Sequence, residues 1–156
     1  MADQIIADLQ RRLQKLEDKE AIVTLLNQYC KNADNHRWDG YANCFLEDGA
    51  VLFENGQSVV GRADIKAQMS SGGNIFQGFV HSLTNIDLVI DGDQATGSGN
   101  LWFAAIPDKS KPQEYHGFGG PDEFTFRRTE EGWKIATIQF RKIWSQNPDT
   151  TGVFGG

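Results

Sequence analysis

Two residue types at particular places in this chain suggest proton-transfer chemistry. Ile22, Leu26, Tyr29, Cys30 and Ala33 recur at three- and four-residue steps, the stripe of a helix that faces a sheet, and Asp34 falls one turn beyond Cys30 on the same stripe. A carboxylate at the rim of a buried face is costly unless something pairs with it, although the spacing fits an ordinary helix-end or N-cap aspartate equally well. His81 lies in Phe79-Val80-His81-Ser82-Leu83, early in a long strand pattern. If Phe79, His81 and Leu83 point inward, the imidazole faces an apolar interior. An inward histidine opposite an inward aspartate makes a general base, because the carboxylate orients the ring and favours its taking a proton. Spacing alone does not bring the two within reach, and a lone core histidine is ordinarily a hydrogen-bonded packing residue.

The other reactive types carry weaker signals. His116 precedes Gly117-Phe118-Gly119-Gly120 at a strand start, and is expected near a cavity mouth as a donor to a substrate oxygen, or else as a solvated loop residue. His36, in a polar run, is expected to be exposed. The three histidines include no His-x-x-x-His pair, so a metal site is not expected. Residues 117–120 lack the lysine and following helix of a phosphate loop. Ser70-Ser71-Gly72 follows no strand and is no nucleophile elbow. Cys30 and Cys44 read as packing thiols.

The elements that must position these groups divide by period. The first third is helical: Ile5, Ile6, Leu9, Leu13 and Leu16 open the pattern, the stripe ending in Asp34 continues it, and a short helix follows from about Trp38 to Phe45. Asp48-Gly49 reads as a break. Ala50–Glu54 reads as a strand, Asn55-Gly56 as a turn, and Gly61–Met69 as a helix. Phe79–Asp91 and Gln94–Ile106 form a hairpin across Asp91-Gly92-Asp93, and Phe118–Thr129 with Trp133–Trp144 a second across Glu130-Glu131-Gly132, with 107–116 as a loop between them. Helices followed by antiparallel hairpins predict an α+β domain with helices packed against one face of a strongly curved, mostly antiparallel sheet. Gly97, Gly99, Gly119 and Gly120 would mark its bends. Such a sheet leaves a conical cavity. Alternation gives Val51, Phe53, Leu101, Phe103, Phe118 and Phe124 as its walls, with Trp102 outward unless a bulge reverses the parity.

Composition bounds the rest. With 156 residues, one domain is expected over 1–156, with its core over about 5–144 and a polar, Gly-rich tail at 145–156 that is mobile or covers a neighbouring surface. Apolar residues make up 39%, and 17 glycines bring the total into the globular range, which excludes disorder, collagen and a coiled-coil protein. Fifteen Lys and Arg against 21 Asp and Glu give −6, a poor balance for holding nucleic acid. The longest apolar run, Leu101 to Ile106, is too short to span a membrane, and the start of the chain has no signal-peptide pattern. Two cysteines make no disulfide framework. A cytoplasmic protein is expected, with neither a nucleic-acid nor a membrane partner.

Several short stretches carry a resemblance. Leu16-Glu17-Asp18-Lys19-Glu20-Ala21-Ile22 leads to Tyr29 and Ala33-Asp34. Phe45-Leu46-Glu47-Asp48-Gly49-Ala50, Gly61-Arg62-Ala63-Asp64-Ile65, Val80-His81-Ser82-Leu83-Thr84-Asn85 and Arg127-Arg128 through Gly132-Trp133-Lys134-Ile135 follow in order. Over about 5–144 the chain resembles the SnoaL-like branch of the nuclear transport factor 2-like superfamily, and within it the scytalone dehydratases and hexachlorocyclohexane dehydrochlorinases, which are cofactor-free lyases. The resemblance implies that Asp34 and His81 match those enzymes' proton-abstracting pair, with histidine as base and aspartate holding it. It also implies that Tyr29 matches a cavity-facing polar position. Phe53 falls near a tyrosine that polarises the dehydratase substrate, so that role is missing here, and His116 lies upstream of the dehydratase's second histidine.

The reading that follows is a cofactor-independent lyase. His81 and Asp34 would be catalytic, and Tyr29, Phe53, Leu101, Phe103, His116 and Phe124 would hold a small aromatic or polyketide-like substrate that loses water or has a C–C bond cleaved. A homodimer or homotrimer is expected, through an apolar patch around Trp102, Ile106 and Trp144. Two alternatives stand beside it: ketosteroid-isomerase-like or polyketide-cyclase chemistry with Asp34 as base, and a non-catalytic ligand-binding or assembly module.

Overall fold

The computed structural model describes residues 1–154. No glycine or proline interrupts the first 34 residues, and Ala2–Asp34 form one continuous helix, α1. Its halves have different surroundings. Residues 1–17 are all exposed, whereas Asp18, Ile22, Leu25, Leu26, Tyr29, Cys30 and Ala33 are buried. Asp18 marks the transition. Its carboxylate accepts two hydrogen bonds from the Arg128 guanidinium (2.7 and 2.8 Å) and one from the Trp133 indole (3.1 Å), with the guanidinium also 4.6 Å from the Trp133 ring centre. The arginine holds the Asp18 carboxyl below the usual carboxylate range.

α1 ends as the chain turns through His36, a non-glycine residue at φ 54°, with the Arg37 amide donating to the Asn32 carbonyl. α2 (Trp38–Asn43) then packs back on α1, closely enough that a Cβ at Gly40 would come within 2.8 Å of the Asn32 side chain and displace it. Strand β1 runs Phe45–Leu52, beginning earlier than its alternation predicts. The register jumps from Phe45↔Ile135 to Ala50↔Thr137, so an irregularity absorbs Asp48-Gly49 where a break is expected. A short strand β2 (Ser58–Val60), which has no clear sequence signal, leads into α3 (Arg62–Gly73), which ends four residues later than its period indicates.

Four further strands complete the curved sheet: β3 (Gly78–Asp91), β4 (Gln94–Ile106), β5 (His116–Thr129) and β6 (Gly132–Phe140). The order is β2-β1-β6-β5-β4-β3, antiparallel throughout except for the parallel β1–β6 pair. This is the expected α+β architecture with a mixed, unclosed sheet. The curvature has local causes. The β3–β4 register shifts between Thr84 and Asp87, where Asn85 adopts φ 54°, and the β5–β6 register shifts between Thr125 and Phe126.

The second hairpin does not continue to Trp144. After Phe140 the chain leaves the sheet and returns as β7 (Trp144–Gln146), pairing with the start of β5. Gly119 and Gly120 make that return possible, since a Cβ at Gly119 would collide with the Leu101 carbonyl and one at Gly120 with the Arg141 carbonyl. These two glycines admit a neighbouring backbone. The tail is folded onto the body: Asp149 accepts from the Thr151 and Phe154 amides, and Phe154 packs against Phe76, Phe103 and Phe118. Residues 155–156 of the expected tail lie outside the described residues. No helix among the described residues is long and apolar enough to cross a membrane.

Candidate active site

The last residue of α1 meets the start of β3. The Asp34 carboxylate accepts hydrogen bonds from the His81 backbone amide at 3.0 and 3.2 Å and contacts the His81 ring at Nδ1, 2.5 Å away. A carboxylate can only accept, so Nδ1 is a protonated ring nitrogen, and in the neutral ring Nε2 is the acceptor. The ring is fixed further by Phe103, whose centroid is 4.7 Å away, and by Phe79 and Tyr29 at 6.2 and 6.4 Å. All three contacts go to His81, so the carboxylate holds both the backbone amide and the ring of that one residue.

His81 borders a cavity of about 540 Å³, a size that suits a small organic ligand. Leu101, Phe103 and Phe118 line it from the inner face of the sheet, and Val153 and Phe154 from the tail. Strand alternation assigns Leu101 and Phe103 inward and Trp102 outward, and that is the arrangement: Trp102 is 60% exposed and packs on Trp144 with centroids 4.7 Å apart. Tyr29 borders the cavity with its phenol near that of Tyr41 (3.5 Å), and burial pushes the Tyr29 phenol well above its usual range. Val51 lines the cavity from β1 as alternation assigns, and Phe53 borders it from just beyond that strand and is partly exposed.

Two residues expected to hold substrate, Phe124 on the wall and His116 at the mouth, lie elsewhere. Phe124 belongs to the core under α1, stacked on Phe126 at 5.7 Å, because its stretch of β5 is already covered by the helix. His116 is 5% exposed, its Nδ1 donating to the Asn147 carbonyl (2.8 Å) and its ring stacked on Phe154 at 5.7 Å. It therefore sits behind the tail, away from the cavity lining. His36 is not a free surface residue: its ring packs 5.2 Å from Phe79 and 5.6 Å from Trp38.

The group that sequence reasoning missed is Asp122. It borders the same cavity, is 1% exposed, and its Oδ1 has no hydrogen-bond partner. Burial pushes its carboxyl up to about 7. The signal was present in the parity of β5. Glu123, Thr125 and Arg127 point outward, so Asp122 shares the inward face with Phe124 and Phe126. The cavity thus holds an imidazole anchored by one carboxylate and a second carboxyl poised near its neutral form. The thiols are remote from such work. Cys30 and Cys44 are free and buried, and burial pushes the Cys30 thiol up to about 12. Among the described residues, no group of three or more His, Cys, Asp or Glu side chains is arranged to hold a metal ion.

Comparison with known proteins bears on the frame around this site. Residues 14–139 match the model of the SnoaL-like domain. No curated protein matches the sequence at a significant level. Among solved structures, a candidate scytalone dehydratase from Novosphingobium aromaticivorans superposes with a TM-score of 0.78 at 20% identity, covering 87% of this chain and 91% of its own. Hexachlorocyclohexane dehydrochlorinase LinA-type3 from Novosphingobium barchaimii gives 0.75 at 16% identity, covering 89% and 95%. A point variant of the protein Rv3472 of Mycobacterium tuberculosis, of unknown function, gives 0.73 at 23% identity, covering 82% and 77%. At these identities the structures share the fold, while the domain match spans most of the chain, which therefore belongs to the SnoaL-like domain family.

Proposed function

We propose that this protein is a cofactor-independent lyase that eliminates water from a small hydroxylated aromatic or polyketide-like substrate. The observation that carries the reading is the His81–Asp34 pair at the wall of an aromatic cavity, with Nδ1 committed to the carboxylate and Nε2 left to accept. His81 Nε2 takes the proton from a carbon made acidic by an adjacent carbonyl, and that C–H electron pair becomes the new double bond. The C–O bond to the neighbouring hydroxyl breaks, and neutral Asp122 protonates the departing oxygen to give water. The imidazolium and the Asp122 carboxylate then reset by exchanging one proton through solvent. Tyr29 steadies the oxygen on which charge develops, as a neutral donor whose phenol burial keeps protonated.

Relatives named as a dehydratase and a dehydrochlorinase support an elimination of this type. The isomerase- or cyclase-like alternative, with Asp34 as base, fits less well with a carboxylate that already accepts three contacts from one residue. A purely apolar binding module has no use for an unpartnered carboxyl buried in its wall. We place the protein in the cytoplasm on its free, buried cysteines. The exposed Trp102–Trp144 patch is the surface we assign to homodimer or homotrimer contact.

The test is direct. A panel of aromatic β-hydroxy ketones, incubated with the protein and read by mass spectrometry, should include members that lose one water. His81→Ala should abolish that loss, and Asp34→Asn should cut the rate by roughly 10²-fold or more, the usual reach of an oriented general base. Equal turnover by His81→Ala and the parent would refute the assignment.

A further inference from the structure

The first half of α1 carries an apolar seam that nothing in the chain covers. Ile6, Leu9, Leu13 and Leu16 follow steps of three, four and three, the a and d positions of two heptads, and each is more than half exposed. Residues 2–17 extend about 24 Å beyond the body at 1.5 Å per residue. At 100° per residue, the seam lies roughly 160° around the helix from the face that Asp18, Ile22, Leu25 and Tyr29 bury. The seam therefore points directly away from the protein's own core, and no bend of the body onto it is possible while α1 stays straight.

We infer that this seam pairs with the same seam of a second copy, in parallel and in register, as a short two-stranded coiled coil. The flanking charges select the partner and its direction. With Ile6 and Leu13 at a, the g positions hold Ile5, Arg12 and Lys19, and the e positions hold Asp3, Gln10 and Glu17. In a parallel pair each g residue faces the e residue five places on in its partner, which sets Arg12 of one copy against Glu17 of the other, twice by symmetry. An antiparallel pair with Leu9 on Leu13 would set Arg12 against Arg12 and Asp3 against Glu17, like charges at both sites, and would lose the Arg12–Glu17 attraction. The next a position holds Glu20, which ends the seam where the body begins. Since the buried face is opposite the seam, the two bodies fall on the outer sides of the helix pair. Composition over the whole chain conceals so short a segment. The cost of starting a helix is already met by the packed half of α1, so two heptads have only to associate.

The test uses the full chain in sedimentation equilibrium. Leu9→Glu and Leu13→Glu should each halve the assembly mass at concentrations where the parent is fully associated, leaving the contact assigned to the Trp102–Trp144 patch intact and the far-ultraviolet spectrum of the folded body retained. Arg12→Glu alone should weaken association several-fold, and Arg12→Glu combined with Glu17→Arg should restore it. Ala2 is also a d position, and Cys30 and Cys44 are buried. Ala2→Cys should therefore form a disulfide-linked dimer on mild oxidation, because the parallel pair brings the two positions together. The antiparallel pair would hold them about 27 Å apart. Equal masses for the parent and Leu9→Glu, a mass that falls to one third, or an Ala2→Cys chain that never cross-links would each overturn the inference.

Discussion

Replacing Asp122 by asparagine should make the protein more stable and less active at once. The carboxyl lies at the cavity wall, 1% exposed, with Oδ1 unpartnered and no cation against it, and burial raises it from 3.8 to about 7. Between those values the folded state binds a proton that the unfolded state has released. Folding stability therefore falls as pH rises through the window and levels off above about 7, the reverse of the usual carboxylate behaviour. A rise of about three pH units at 1.36 kcal/mol each corresponds to about 4 kcal/mol at full ionisation. The amide in Asp122→Asn is a neutral group of the same shape and escapes that cost. Urea denaturation of both proteins from pH 4 to pH 9 checks this. The two stabilities should nearly coincide at pH 4, diverge steadily, and differ by about 4 kcal/mol from pH 8 upward, with the variant the more stable. A constant difference across the range, or a variant that loses stability relative to the parent as pH rises, would refute the picture of a buried, unpaired carboxyl.

Other perturbations test other parts of the structure. Arg128→Ala leaves the Asp18 carboxylate buried beside Trp133 without its cation and should cost about 2–3 kcal/mol in denaturant titrations, allowing for the partial exposure of the arginine. Because Asp18 is held below its usual range, the stabilising pair is present above about pH 4 and is lost as acid protonates it, so the parent's loss of stability below about pH 4 should shrink in that variant. Cys30 and Cys44, both buried with their thiols pushed upward, should resist an aromatic disulfide reagent at neutral pH until the protein is unfolded; rapid labelling of the folded protein would contradict their burial. Gly119→Val places side-chain atoms where the Leu101 carbonyl and the Trp144 indole already sit, and should detach β7, which faster amide exchange at 144–146 would report.

What the sequence made legible follows from which signals are local. Strand parity is local, so Leu101, Phe103 and outward Trp102 could be read directly, there being no bulge between Asn100 and Ile106 to reverse them. The start of β1 could not, because Asp48-Gly49 carries a turn composition that the sheet absorbs as an irregularity against β6, a strand from the far end of the chain. His116 shows the limit from the other side. Its ring is held by the Asn147 carbonyl and by Phe154 in the tail, partners that nothing near His116 announces. Asp122 had a usable signal, a carboxylate on the parity of Phe124 and Phe126, but a search for paired residues passes over a group whose distinction is to have no partner. The N-terminal stripe illustrates a different ambiguity. Periodicity reports that a helix has an apolar face, not what covers it: Leu9, Leu13 and Leu16 keep the same three- and four-residue steps as the buried stripe through Ile22 and Leu26, and the phase change between Leu16 and Ile22 separates two faces without saying which is core.

The central claim is that His81 takes a proton from carbon while Asp34 holds the ring. Deuterium incorporation from heavy water into aromatic β-hydroxy ketones and their unsaturated products, followed by proton NMR, reads that step without requiring the elimination to complete. The account predicts exchange at the carbon beside the carbonyl with the parent protein, a rate lowered by roughly 10²-fold or more in Asp34→Asn, and none above background in His81→Gln. Exchange by Asp122→Asn should persist, since its acid acts on the leaving oxygen. Undiminished exchange in His81→Gln, or ligands that fill the cavity of the parent without exchanging at all, would contradict it.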